Sequence, residues 1–125
     1  MLGSEIYNKF KDIFTLLPTS YNDEGKAVSK LDITNFNNVK DTINNFNPTI
    51  IINCAAYTDV DKAEKNKMAA RNINVLGLEN LIKASKKGTK IIHISSDYVF
   101  DGKKGNYKEG DLTHPVNYYG KTKLE

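Results

Sequence analysis

The sequence predicts an α/β fold with a doubly wound parallel sheet, and three observations carry that expectation. Thr49-Ile-Ile-Ile-Asn-Cys54 and Lys90-Ile-Ile-His-Ile-Ser95 are short apolar runs rich in β-branched residues, the pattern of strands buried on both faces. Segments with helical apolar spacing precede and separate them. Strands that alternate with helices pair in parallel through right-handed crossovers, and such sheets gather ligands at the carboxyl ends of their strands. Function is therefore expected just after residues 17, 34, 53 and 95.

In chain order, residues 4–11 read as the end of a helix, and Ile13-Phe-Thr-Leu-Leu17 is a strand candidate stopped by Pro18. Residues 19–30 are polar and turn-forming. Asp32-Ile33-Thr34 leads into a helix of about three turns with Phe36, Val39, Ile43 and Phe46 on one face. Pro48 ends it, and the first buried strand follows. A helix over roughly 67–86 presents Ile73, Leu76, Leu81 and Ala84 to the core, with Gly88 just past its basic end. After the second buried strand, Asp111 to Pro115 is a loop before a helix that starts near Asn117 and is still running at Glu125.

The 125 residues fit one domain, and 39% hydrophobic with 26% charged residues is ordinary for a globular chain. The longest apolar run, Ile50-Ile51-Ile52, is far short of the roughly 20 residues that cross a bilayer. Residues 1–15 carry Glu5, Lys9, Lys11 and Asp12 and do not read as a secretory leader, so the cytoplasm is the default. The lone Cys54 fits a reducing compartment. The 18 basic and 15 acidic residues are spread along the chain as solvated faces rather than a nucleic-acid tail. Cys54, His93 and His114 lie far apart, and no metal is assigned.

Tyr119-Gly-Lys-Thr-Lys123 falls near the start of the last helix, where residues four apart share a face at about 5–6 Å between Cβ atoms. A tyrosine hydroxyl ionises near pH ~10, and a nearby ammonium that favours the phenolate brings that proton within reach of neutral-pH chemistry. Such a general acid is worth roughly 10²–10⁴-fold in rate. The spacing alone says little, because Tyr7 and Lys11 reproduce it. Its context is Ser95-Ser96-Asp97-Tyr98, directly after a buried strand, where the Ser96 hydroxyl could hydrogen-bond the carbonyl oxygen that Tyr119 protonates. The plainer reading makes Ser-Ser-Asp a strand-ending turn and Tyr119 a half-buried helix aromatic. His93 reads as a core histidine rather than a catalyst, and Gly102, Gly105 and Gly110 as loop punctuation.

A Ser after a strand with a Tyr-x-x-x-Lys opening the next helix resembles the short-chain dehydrogenase/reductase superfamily. Three ordered blocks narrow the resemblance. Asn53-Cys-Ala-Ala-Tyr-Thr-Asp-Val-Asp-Lys-Ala-Glu64, Ile94-Ser-Ser-Asp-Tyr-Val-Phe-Asp-Gly102 and Pro115-Val-Asn-Tyr-Tyr-Gly-Lys-Thr-Lys-Leu-Glu125 look like the dTDP-4-dehydrorhamnose reductase family. That resemblance covers essentially the whole chain and implies a Rossmann-like fold with NADPH or NADH as cofactor and a sugar nucleotide as substrate.

Residue by residue, it implies Tyr119 as proton donor to the C4 ketone, Lys123 as holder of the nicotinamide ribose and tuner of Tyr119, and Ser96 as the group polarising the ketone. Asp97 and Tyr98 would face the sugar. Asp32 and Ile33 would lie beside the adenine, Cys54, Ala55, Ala56 and Tyr57 would pass under the ribose and pyrophosphate, and Ser95 would border the cofactor. Asn74 would help hold the active-site backbone. Each has a bland alternative: Cys54 and Ala55 as packing residues, Asp32 as a helix cap, Asn74 as a polar helix-face residue. Related 4,6-dehydratases carry Asp-Glu after the catalytic hydroxyl; here the pair is Asp97-Tyr98, which implies reduction rather than dehydration.

Against the family pattern, Met1-Leu-Gly-Ser-Glu5 matches only the last part of the glycine-rich turn, with Gly3 as its final glycine. The expectation is a partial domain over 1–125 that lacks the first strand, which lies mid-sheet in the order 3-2-1-4-5-6, and lacks the C-terminal substrate region. Alone, it would then not turn over substrate. Pro18-Thr-Ser-Tyr21 offers neither the acidic residue nor the arginine that selects between NAD and NADP, so dual use is expected. Glu5 matches a place where the family sometimes dimerises through a metal, but reads as a solvated helix residue; a homodimer of the parent stays open. The competing readings are a non-catalytic regulatory subunit, since the methionine adenosyltransferase beta subunit resembles the same family, and a remnant with no stable fold.

Overall fold

The computed structural model describes residues 1–22 and 28–125; the part of the polar 19–30 segment that spans 23–27 lies outside the described residues. Helix α1 (Leu2–Phe10) leads to strand β1 (Thr19–Ser20), which pairs in parallel with β2 (Ser29–Lys30). Helix α2 (Phe36–Phe46) crosses to β3 (Ile50–Asn53). Helices α3 (Val60–Lys65), α4 (Lys67–Arg71) and α5 (Gly77–Ala84) then lead to β4 (Lys90–His93), parallel to β3 with Ile51 opposite Ile91 and Asn53 opposite His93. A 3₁₀ turn (Asp97–Val99) and a long loop reach α6 (Tyr118–Leu124). Every described strand pairing is parallel, as the alternating pattern predicts. The ladders form two separate two-stranded sheets rather than one continuous sheet.

The caps explain most helix limits. Asn35 accepts the Asn38 N–H at the start of α2, and Asn47, left-handed at φ 53°, closes it before Pro48. Val39 and Ile43 of α2 pack with Leu31 and Leu81, and Ile33, Ile51 and Ala84 lean on that cluster. A second cluster joins Ala63, Ala70 and Tyr119, flanked by Tyr57, Val60 and Tyr118, and seats α6 against α3 and α4.

Three expectations are corrected. The strand candidate Ile13–Leu17 is not a strand. The turn that ends α1 runs on through hydrogen bonds from the Ile13 and Phe14 N–H groups to the Phe10 carbonyl, and pairing begins only past Pro18, whose carbonyl accepts the Ser29 N–H. Strand ends therefore fall after 20 rather than 17, and Ile13 and Phe14 stay exposed.

Nor is β3 buried on both faces: Ile51 meets the α2/α5 core, whereas Ile50 and Ile52, like Ile92 on β4, face outward. The apolar run reported hydrophobicity, not what covers each face. Finally, the helix expected over 67–86 ends at Ala84 and contains a π-helical turn, Asn72–Leu76, while the short α3 before it, capped by Asp59, was not foreseen.

Candidate active site

The carboxyl ends of β2, β3 and β4 carry the polar residues singled out above. After β2, Asp32 folds back on itself: its Oδ1 accepts the Thr34 N–H at 2.9 Å and the Thr34 hydroxyl at 2.7 Å. The helix cap is Asn35 rather than Asp32. Ile33 lies under α5, where a Cβ on Gly77 would come within 2.5 Å of its Cδ1, so only glycine lets α5 approach this closely. Asn80 of α5 donates to the Ile33 and Thr34 carbonyls at 2.9 and 3.2 Å.

After β3, Asn53 accepts the Ala55 N–H at 3.1 Å and turns the chain outward. Cys54 is half-buried, and burial pushes its thiol pKa up. Gly3, in the first turn of α1, meets Cys54 here, since a Cβ built on Gly3 would lie 3.7 Å from the Cys54 Cβ. Further along, Tyr57 is pinned by Asn74, whose side chain accepts the Tyr57 N–H at 2.7 Å and donates to its carbonyl at 3.3 Å. The same Asn74 amide donates at 2.8 Å to Thr122 Oγ1, which in turn donates to the Tyr119 carbonyl at 2.8 Å.

After β4, Ser96 caps the 3₁₀ turn: its Oγ accepts the Tyr98 N–H at 3.2 Å and lies 3.3 Å from Asp97 Oδ1. Helix α6 starts at Asn117, whose Oδ1 accepts the Gly120 N–H at 2.7 Å. Gly120 sits directly on the turn, because a Cβ there would fall 2.1 Å from the Tyr98 carbonyl oxygen. That approach brings the Tyr98 ring edge-on to Tyr119 at 5.6 Å. An ion pair from Arg71 to Glu125 and a bond from the Tyr118 N–H to Glu64 at 2.6 Å tie the same helix to α4 and α3.

Tyr119 and Lys123 are thus one turn apart in α6 and both buried. Lys123 Nζ lies 3.1 Å from His93 Nε2, and the other ring nitrogen is 3.1 Å from the Asn53 amide. Burial pushes the Lys123 pKa down; burial first, and then the charge of Lys123, push that of His93 down.

The structure therefore brings Tyr98 to Tyr119, sets Lys123 one turn along α6 beside His93, and puts Ser96 on the same turn as Tyr98, with its hydroxyl engaged by Asp97. Ser95 lies exposed between β4 and that turn, and Ala55 and Ala56 lead from Asn53 to Tyr57. Sequence reasoning missed Asn80, Gly120, Thr122 and the contact of His93 with Lys123. The glycine inside Tyr-Tyr-Gly-Lys was the available signal for the close approach; the others have none short of the fold. The residues that would hold a dinucleotide lie at this end of the molecule, where the α1 N-terminus meets the β3 end at Gly3 and Cys54 and Asn80 and Asn74 fix the backbone after β2 and β3.

Parallel strands, polar residues at their carboxyl ends and a buried Tyr-x-x-x-Lys helix define the class: a Rossmann-like fold of the short-chain dehydrogenase/reductase type. The chain belongs to the family described as the RmlD substrate binding domain, whose model matches residues 1–125. A dTDP-4-dehydrorhamnose reductase from Aggregatibacter actinomycetemcomitans is 50% identical over 78% of this chain and 34% of its own length. Methionine adenosyltransferase 2 subunit beta from Xenopus laevis is 39% identical over 100% of the chain and 38% of its own length.

Among solved structures, a hypothetical dTDP-4-dehydrorhamnose reductase from Sulfolobus tokodaii superposes with a TM-score of 0.91 at 43% identity, covering 98% of this chain and 45% of that one. A dTDP-4-dehydrorhamnose reductase from Bacillus anthracis in complex with NADP gives 0.74 at 36% identity, over 94% and 42%. The chain thus spans less than half the length of the relatives it matches. The family resemblance read from the three sequence blocks holds, and so does the fold. No helix among the described residues is long and apolar enough to cross a membrane.

Proposed function

We propose that this chain carries the cofactor-binding region and the catalytic residues of an NAD(P)H-dependent reductase acting on a 4-keto sugar nucleotide, with dTDP-4-dehydrorhamnose as substrate and dTDP-L-rhamnose as product. The observation that carries this reading is the docking of α6 on the turn after β4, which brings buried Tyr119 against Tyr98, with buried Lys123 one turn along α6 beside His93. Tyr119 gives its hydroxyl proton to the C4 ketone oxygen, and the ammonium of Lys123 stabilises the phenolate left behind. Ser96, released from Asp97, donates a hydrogen bond to the same oxygen, while Asp97 and Tyr98 line the sugar. The nicotinamide cofactor, when bound, supplies the hydride to C4, so the carbonyl gains one hydride and one proton.

Gly3 and Cys54 to Tyr57 hold the cofactor phosphates and ribose, Asp32 and Ile33 the adenine, and Ser95 and Lys123 the nicotinamide half. Asn74 acts through backbone, by fixing Tyr57 and, through Thr122, the first turn of α6. NADPH and NADH both suit this reading, since Pro18-Thr-Ser-Tyr21 carries neither an acidic nor an arginine selector. The cytoplasm is the compartment this reading expects, and the sugar nucleotide rather than nucleic acid or membrane is the partner; a homodimer remains part of the proposal.

The test is oxidation of NADPH with dTDP-4-dehydrorhamnose by a protein of the relatives' full length that carries this chain, and by its Tyr119→Phe variant. Turnover that the variant loses supports the reading. Dinucleotide binding without turnover favours the second reading, a regulatory subunit, for which the full-length coverage of this chain by methionine adenosyltransferase 2 subunit beta speaks.

A further inference from the structure

Asn53, His93 and Lys123 form a chain of polar side chains behind the proposed active site, and its protons can be counted. The Asn53 Oδ1 faces the Ala55 N–H at 3.1 Å, which can only donate, so the amide orientation is fixed and Nδ2 points at His93 Nδ1. A neutral imidazole carries one N–H, and with Nδ1 accepting from Asn53 that proton sits on Nε2. Nε2 in turn faces Lys123 Nζ at 3.1 Å. A hydrogen bond there requires a lone pair on Nζ, that is, a neutral amine. A charged Lys123 instead forces the proton to Nδ1, where it confronts the Asn53 amide. A doubly protonated ring confronts donors on both sides.

We propose that His93 is a positioning residue for Lys123: oriented by Asn53, its Nε2–H holds Nζ and raises the cost of charging the lysine. The ring meets the neutral Asn53 amide from β3 and Lys123 from α6, and Lys123 is the charged group that acts on it among the described residues. Burial depresses the titration of Lys123, and burial, then the charge of Lys123, depresses that of His93. The link to catalysis rests on the reductase reading, in which Lys123 must be an ammonium beside Tyr119; His93 then sets the pH range over which that ammonium persists.

Long-range ¹H–¹⁵N spectra of the 125-residue chain test the proposal without any turnover, because His93 and His114 are its only histidines. The expected result is the Nε2–H tautomer for His93, a titration midpoint below that of an unstructured histidine, and a rise of that midpoint in Lys123→Met with His114 unmoved. An Nδ1–H tautomer, a midpoint indifferent to the lysine, or both histidines behaving as in an unstructured peptide would overturn it. If Lys123→Met does not fold, the tautomer of the unaltered chain decides alone.

In a protein with reductase activity, His93→Gln is expected to move the alkaline limb of kcat to higher pH with the KM for the keto sugar unchanged. A coupled His93 in a protein of the relatives' full length that shows no turnover would sink the reductase reading and leave the pairing intact.

Discussion

Asn74 Nδ2 donates to Thr122 Oγ1 at 2.8 Å, and both residues are almost wholly shielded from solvent. Because Asn74 also takes the Tyr57 N–H, one side chain joins the loop after β3 to α6. Asn74→Ala leaves that N–H without its acceptor, at about 1–3 kcal/mol for a buried orphan. Thr122→Val, which keeps the volume, removes the shorter of the two bonds that the Asn74 amide donates and is expected to cost less than Asn74→Ala. Urea unfolding followed by circular dichroism checks both, and midpoints equal to the parent's would contradict the role.

Gly120→Ala places a methyl 2.1 Å from the Tyr98 carbonyl oxygen and 3.0 Å from the Pro115 Cβ, neither of which is a flexible side-chain tip. Helix α6 must retreat, at about 1–3 kcal/mol as for other overpacked sites. The edge-on contact of Tyr98 with Tyr119 should go with it. A lower melting temperature together with a changed near-ultraviolet tyrosine signal is the expected pair of results.

Tyr119→Phe retains the ring that packs on Ala63 and Ala70 and removes only the hydroxyl. In the reductase reading, kcat falls by roughly 10²–10⁴-fold while the unfolding midpoint stays near the parent's. Steady-state cofactor oxidation beside a thermal melt separates the chemical loss from a folding defect.

Stability should depend on pH through His93. Its folded-state pKa lies below the ordinary 6.5, so between the two values the unfolded chain binds more protons. The contribution is complete above about pH 6.5 and is lost as pH falls toward the folded value. Urea midpoints across that window should decline more steeply for the parent than for His93→Phe.

Cys54 offers a chemical readout of the cofactor site. Burial raises its thiol pKa, which lowers the thiolate fraction that alkylating reagents attack. Iodoacetamide at neutral pH is expected to modify Cys54 more slowly than a free thiol, and more slowly still with NADPH present. Indifference to the dinucleotide would argue against cofactor passing beside Cys54.

The strands at 50–53 and 90–93 and the start of α6 were readable because each depends on local signals: β-branched runs, and Asn117 after Pro115. The displaced strand at Ile13 and the open faces of Ile50 and Ile52 were not, because hydrophobicity records a tendency to be covered and says nothing of what is present to do the covering. At the site, the four-residue spacing of Tyr119 and Lys123 follows from helix geometry alone. The Gly120 approach to Tyr98 and the reach of Asn80 to Ile33 join residues 22 and 47 positions apart, and only the packed chain brings them together.

The π-helical turn at Asn72–Leu76 carries one of two asparagines that face different partners: Asn74, within it, grips Tyr57 and Thr122, while Asn80, beyond it, grips Ile33 and Thr34. Removing one residue between them would restore an ordinary helical ladder, yet each residue of α-helix carries roughly 100° of rotation. One asparagine would then swing away from its partners while the other kept its own. The wide turn thus acts as a phase adjuster between the partners of Asn74 and those of Asn80, and over this stretch the number of residues is constrained alongside the glycine at position 77.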